Sequence, residues 1–290
     1  MRLGIHTFTA GFLPTAALKA AELGAGTFQI FSASPRMWQA RPPDHEAIRK
    51  FDATRRRFDL NPLAIHANYL VNLATADPRV LANSIEAFRG ELERAAAIGA
   101  DYVVLHPGSY RGRTVEEAIE SLAVALRNAA RGFRHAGLTV LIENTAGSGC
   151  AVGSRFEELG AIRDRAGALS DLSIGFCLDT CHLLAAGYDI ATAGGLRAMT
   201  ESADKLLGWD NVRLIHANDS RMPLGSRVDR HQNIGEGHIG SAGFRRLLHH
   251  PKLRGKPFIL ETPVRDPGDD RRNLEILKRL AGDKRCGATE

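Results

Sequence analysis

Cysteine is scarce: 290 residues contain only Cys150, Cys177, Cys181 and Cys286, with no CxxC pair among them. That argues against a disulfide framework and a structural zinc ribbon, and fits reduced thiols in a cytosol. Cys177 and Cys181 flank Asp179, yet they read as small buried residues before they read as metal ligands. Long apolar runs are also missing, since no segment approaches the roughly 18 residues of a membrane span. The opening MRLGIHTFTAGF carries no charged stretch ahead of an apolar core and cleavage site. A soluble, cytoplasmic protein without a secretion signal is expected, and nothing marks a domain boundary. Charge is nearly balanced, with Lys+Arg 38 against Asp+Glu 33, a net charge of +5 and a pI near 9.2. Such a surface suits a polyanionic partner without establishing one.

What the chain does have is a repeat. Six apolar runs each end in a residue able to bind a metal: LAIH at His66, VVLH at His106, VLIE at Glu143, FCLD at Asp179, RLIH at His216 and FILE at Glu261. Their successive spacings are 40, 37, 36, 37 and 45 residues. With RLGIH (2–6) and TFQIF (27–31) they make eight strand candidates of the continuously apolar kind found in parallel sheets buried on both faces. Helical periodicity fills the gaps at 14–24, 78–99 and 114–137. Pro14 and Pro78 stand near the starts, and Gly24, Gly99 and Gly137 at the expected stops. An interval of about 36 residues is one βα unit of a (β/α)8 TIM barrel, so one such barrel over 1–290 is the expected fold, with a frayed tail at 281–290. A doubly wound sheet is the alternative, but donors ending six strands converge better inside a closed barrel.

Two connections are longer than a compact barrel requires, 32–43 and 219–240, and loops of that length are commonly functional. The first carries an exposed-looking Trp38; the second holds Asp229, Arg230 and His231. The run RRR at 55–57 reads as a solvated face at a helix end. His6 is expected to be core or a neighbour of the site. His45, His135, His238, His249 and His250 read as surface or structural groups.

Strand C-termini face the active site in such a barrel, so the six strand-end residues should ring one pocket. His182, three residues after Asp179, and the pair Asp229 and His231 join them, giving five histidines and four carboxylates. One zinc takes only three or four protein ligands, so nine donors call for two or three ions. Imidazole with carboxylate and no thiolate suits Zn²⁺, with Mn²⁺ or Fe²⁺ as alternatives. Taken singly, each donor could be a hydrogen-bonded barrel residue or a helix cap. Carboxylates crowded at one barrel mouth would repel one another unless cations lay between them.

At these residues the chain resembles the endonuclease IV family of apurinic/apyrimidinic endonucleases. The likeness runs through HANYLVNLA (66–74), LHPGS (105–109), IENTAG (142–147), CLDTCHLLAAGYD (177–189), HANDSRMPLGSRVDRHQNIGEGHIG (216–240) and ILETP (259–263). It implies the same barrel with three zinc ions: one on His66, His106 and a bridging Glu143, one on Glu143, Asp179, His216 and Glu261, and one on His182, Asp229 and His231. It further implies hydrolysis 5′ to an abasic site in duplex DNA, leaving a 3′-hydroxyl and a 5′-deoxyribose phosphate, together with 3′-repair phosphodiesterase activity. Glu143 and Glu261 would be the catalytic carboxylates, Glu261 acting on the attacking water. Arg36, Met37, Trp38 and Tyr69 would enter the DNA, with Arg221, Arg227 and Arg230 on phosphates. A monomer is expected, apart from that likeness. Where the family often carries Asn and Gln after the second strand, this chain has Ser34, Pro35 and Met37, so Met37 stands as an apolar wedge.

Two rivals share these features. A sugar isomerase or epimerase on the same barrel would be served by Glu143, Asp179, His216 and Glu261 alone, and has no evident need for His66, His106, His182, Asp229 and His231. A noncatalytic DNA-binding barrel would not need the donors at all.

Overall fold

Side chains alternate between the two faces of a β-strand, and that parity decides which residues enter the barrel. The computed structural model describes residues 1–9, 12–134 and 137–282. The elements in chain order are β1 (Leu3–Thr7), α1 (Leu13–Glu22), β2 (Thr27–Phe31), α2 (His45–Phe58), β3 (Leu63–His66), α3 (Pro78–Ala97), β4 (Tyr102–Leu105), α4 (Val115–Ala129), β5 (Thr139–Glu143), α5 (Phe156–Leu169), β6 (Ser173–Asp179), α6 (Thr180–Ala186), α7 (Ala193–Leu206), β7 (Val212–His216), β8 (Asp219–Ser220), β9 (His231–Gln232), α8 (Gly240–His249), β10 (Phe258–Leu260) and α9 (Asp269–Leu280). Strands β1 to β7 and β10 close into a parallel barrel, the TIM barrel that the spacing predicts. β8 and β9 form a separate antiparallel ribbon in which Ser220 faces His231.

Leu63, Ile65, Val103, Leu105, Val140, Ile142, Phe176 and Leu178 pack outward in the core shared with the helices. Ala64, Val104, Leu141, Cys177, Leu214 and Ile259 point the other way and form a second core inside the barrel. Two residues beyond each of these six stand His66, His106, Glu143, Asp179, His216 and Glu261. Equal parity turns them inward as well, so the apolar layer is a floor and the donors form the layer above it. Phe28, Phe51, Phe88, Phe156, Phe176 and Phe244, all fully buried between strands and helices, stiffen that frame. Each contributes about 1.5–3 kcal/mol by burial.

Helix ends follow local chemistry. Asp44 accepts from Ala47 N at 2.8 Å, and Thr114 with Glu117 closes a capping box on α4. α4 nevertheless ends at Ala129 and not near Gly137, because Gly132 takes a left-handed φ of 77° and turns the chain. The apolar pattern continues through Phe133 since that ring packs on the core from beyond the helix. His135 and 283–290, which hold Cys286 and most of the expected tail, lie outside the described residues.

Arg55 corrects another expectation. Arg56 and Arg57 are exposed, but Arg55 is buried: its Nη1 donates to Gly99 O at 2.8 Å and its Nη2 to Asn61 Oδ1 at 3.1 Å, 3.4 Å from Asp101. The last turn of α2 lies over the turns that enter β3 and β4, where free carbonyls need a donor. Among the described residues no helix is long and apolar enough to cross a membrane.

Candidate metal centre

Donor atoms of the nine predicted ligands fall into groups within 4.8 Å of one another: His66, His106 and Glu143; Glu143, Asp179, His216 and Glu261; and His182, Asp229 and His231; a fourth set joins Asp179 and His231 to Cys181. Glu143 belongs to two of them, with Oε2 at 3.3 Å from His66 Nε2 and 3.5 Å from His106 Nε2, and Oε1 at 3.0 Å from His216 Nδ1. His216 Nδ1 also lies 3.2 Å from Glu261 Oε2. In the third group, Asp229 sits 3.2 Å from His182 Nε2 and 3.3 Å from His231 Nε2.

Local structure aims these groups. Asp179 ends β6 and caps α6, accepting from His182 N at 2.8 Å, which fixes the three-residue offset between the two ligands. His66, His182 and His231 each donate from Nδ1 to a backbone carbonyl, of Ala67 at 2.7 Å, Asn144 at 2.9 Å and Glu261 at 3.0 Å. Their Nε2 atoms are left to face the carboxylates, the usual way a second contact orients a metal-binding imidazole. Asn218 donates to Asp179 Oδ2 at 2.6 Å and accepts from Glu261 N at 2.8 Å, joining two ligands.

Electrostatics fit a cation cluster. Burial pushes the imidazoles of the cluster towards their neutral form, and for His6 and His106 that effect wins, whereas Glu143 and Glu261 overcome it for His66. For His182, burial is overcome by Asp179 and Asp229, which push it up to about 10. His231 rises to about 9 for the same reasons, and His216 is also raised, with Cys177, Glu261 and Glu143 overcoming its burial. Burial would raise Glu143, but His106 and His216 hold it well below the carboxylate range. In the metal-free chain, protons on imidazole thus occupy the role of positive charge. Buried Glu143 Oε2 and His231 Nε2 still lack a hydrogen-bond partner, which an ion bound between the groups would supply. The residues therefore fit divalent metals in kind and placement. Burial pushes the Cys177 and Cys181 thiols up to about 12, consistent with their reading as inert core groups.

The long loop 219–240 carries Asp229 and His231, and it is folded around one carboxylate. Fully buried Asp219 accepts from the backbone N–H of Ser220, Gly235, Gly237, Ile239 and Gly240 at 2.8, 3.0, 3.0, 2.9 and 3.2 Å. Gly237 is required there, because a Cβ would come within 2.3 Å of Ser220 O.

Of the residues expected to meet DNA, Tyr69 lines the barrel mouth. Tyr69 is 65% exposed and packs edge-on against Phe31 with ring centroids 5.1 Å apart, while Met37 is 59% exposed. Arg36, Arg221, Arg227 and Arg230 are exposed. Trp38 is not the exposed side chain anticipated: it is half-buried and packs on the core. The loop folds back there because the Asn68 amide donates to the Met37 carbonyl, and Met37 N to Ser34 O at 3.2 Å. Two cavities of about 350 and 420 Å³ open over the donors and share His66, Tyr69, His106, His182 and Asp229.

Sequence reasoning passed over Gln29, Asn68, Asn144, Asn218 and Asp219. A signal was present: an asparagine follows Glu143 directly and stands two residues after His66 and His216, and Gln29 interrupts an apolar strand.

A closed barrel with this donor ring defines a class, the metal-dependent TIM-barrel enzymes. The profile of the xylose isomerase-like TIM barrel family matches residues 17–280. A probable endonuclease 4 from Solibacter usitatus is 66% identical over 98% of both chains, and one from Halothermothrix orenii is 39% identical over 98% of this chain and 100% of its own. The crystal structure of endonuclease IV from Thermus thermophilus superposes with a TM-score of 0.85 at 39% identity, covering 97% of this chain and 99% of that one. A D-tagatose 3-epimerase-like protein superposes at 0.68 with 21% identity, covering 97% of both chains, a likeness of fold alone. The chain belongs to the endonuclease IV family and is by that membership a metal-dependent nuclease.

Proposed function

We propose that this chain is a three-zinc endonuclease acting at abasic sites in duplex DNA as a monomer, with 3′-repair phosphodiesterase activity on the same centre. The observation that carries this reading is the division of nine donors into three groups, two of them tied by Glu143. A sugar isomerase would use the four-donor group and leave the other two without purpose. His66, His106 and Glu143 would hold one ion, Glu143, Asp179, His216 and Glu261 a second, and His182, Asp229 and His231 the third. When bound, these ions lower the pKa of a water and neutralise charge building on the phosphate.

The remaining work belongs to the chain. Glu261 has a side chain 17% exposed, against 1% or less for Glu143, Asp179 and His216, so it is the member of its group that reaches the cavity. Its carboxyl is held below the ordinary range, burial being outweighed by His216 and His6. It is therefore ionised at neutral pH and accepts a hydrogen bond that orients the attacking water, whose proton passes to solvent. The water oxygen bonds to phosphorus as the P–O3′ bond breaks, and the departing 3′ oxygen ends as a hydroxyl with a proton from solvent. Arg36, Arg221, Arg227 and Arg230, all exposed, would grip phosphates. Met37 and Tyr69 are the exposed apolar groups available to fill the gap when the unpaired sugar swings out, a rotation that costs little where no base is stacked. Trp38 supports that loop from beneath.

The test is metal analysis followed by incubation of the loaded chain with an end-labelled duplex bearing one synthetic abasic site. Three zinc ions and a single nick on the 5′ side of the lesion are expected. One ion, an intact duplex and turnover of a ketose would replace this reading with the isomerase.

A further inference from the structure

We infer that Gln29 is a positioning residue of the metal centre, one amide that sets the tautomer of His216 and the rotamer of Glu261 together. This rests on the metal-centre reading above. Gln29 lies on β2 with inward parity, opposite His6 on β1 and Ala64 on β3, and is fully buried. Its Nε2 lies 2.6 Å from Glu261 Oε1 and 2.9 Å from His6 Nδ1, and its Oε1 lies 3.0 Å from His216 Nε2. The orientation of the amide is forced, because an ionised carboxylate only accepts and so must face the NH2 end. The carbonyl end then faces His216, which must donate from Nε2. That leaves the Nδ1 lone pair of neutral His216 directed at Glu143 and Glu261, the place where a cation belongs.

His216 needs this help more than its counterparts do. His66, His182 and His231 are pinned at Nδ1 by backbone carbonyls and present Nε2. His216 is turned the opposite way, presenting Nδ1, and the partner of its outer nitrogen is the Gln29 side chain. The same amide donates to Glu261 Oε1 and faces His6 Nδ1 with its second N–H, so Oε2 is the oxygen left for the donor cluster. A buried amide could instead be a core group that happens to be satisfied, and the experiment separates the two.

Zinc-loaded wild type, Gln29→Met and Gln29→Asn are compared by zinc release to excess chelator, by thermal midpoint after metal removal, and by nicking kinetics. Methionine has the same length and removes the hydrogen bonds to Glu261 and His216 together with the contact to His6. Asparagine keeps an amide one methylene too short to span both partners, and remains decisive if the methionine variant does not fold. The expected result is loss of one ion about 10- to 100-fold faster, with a matching fall in kcat and KM near wild type. A folded variant that releases zinc at the wild-type rate, whether or not its midpoint falls, would make Gln29 an ordinary core amide and overturn the inference. Because zinc release needs no DNA, wild type that binds zinc but fails to nick would sink the proposed substrate while leaving this inference standing.

Discussion

The two halves of the donor cluster are built by different means. Six donors stand at barrel strand ends, where strand parity over an apolar floor sets their direction, and the Glu143 and Asp179 side chains are 1% exposed or less. Asp229 and His231 ride on a loop, and the Asp229 side chain is 52% exposed. The strand-borne half inherits its rigidity from the core. The loop-borne half borrows its own from Asp219, which gathers five N–H groups that would otherwise point into a coil. Precision at a metal site can thus come from secondary structure or from one buried carboxylate, and the two should fail differently.

The largest effect is expected where two strand-borne groups depend on one residue. Glu143→Gln should remove the shared bridge, lower metal content by more than one ion and reduce nicking by about three orders of magnitude or more. Near-normal zinc content would show that Glu143 does not bridge. Glu261→Gln should retain most DNA affinity and lower kcat by about 10²–10⁴-fold; unchanged turnover would remove it from work on the water. Asp219→Asn breaks only the loop-borne half. It should cost about 10- to 100-fold in activity through loss of one ion, with the strand-borne sites still filled. Equal loss from all sites would erase the distinction between the halves.

How far the sequence foretold this follows the same division. Strand-end donors were legible because apolar runs repeat at one interval and each ends in a ligand, and the motifs around Asp229 and His231 supplied the rest. Asp219 was not legible, since an aspartate in a glycine-rich stretch looks like any turn residue until its carboxylate meets Gly235 and Gly237. Gln29 escaped notice because a polar residue in an apolar run acquires meaning only when β1, β7 and β10 bring His6, His216 and Glu261 to it. Arg55 and Trp38 were misjudged for a related reason: composition marks a residue as charged or aromatic, but tertiary contacts decide which end of it is buried.

Smaller effects sharpen the contrast. His182 and His231, raised to about 10 and about 9 against acidic neighbours despite burial, hold protons at neutral pH in the metal-free chain. These protons stabilise the metal-free fold fully below the unfolded histidine value, and that stabilisation fades as pH rises towards 9 to 10. Metal must displace them, so zinc affinity should rise with pH across this window, most steeply at the loop-borne site. Calorimetry in buffers of unequal ionisation heat counts the protons released; none released would contradict the assignment. At the opposite end of the barrel, Arg55→Met should lower stability by about 1–3 kcal/mol in denaturant titrations and leave kcat untouched.

The most direct measurement is anomalous X-ray scattering at the zinc edge from crystals of chain purified without chelator. Three peaks are predicted: one between His66, His106 and Glu143, one between Glu143, Asp179, His216 and Glu261, and one between His182, Asp229 and His231. A single peak in the four-donor group, or none, would contradict the three-ion centre.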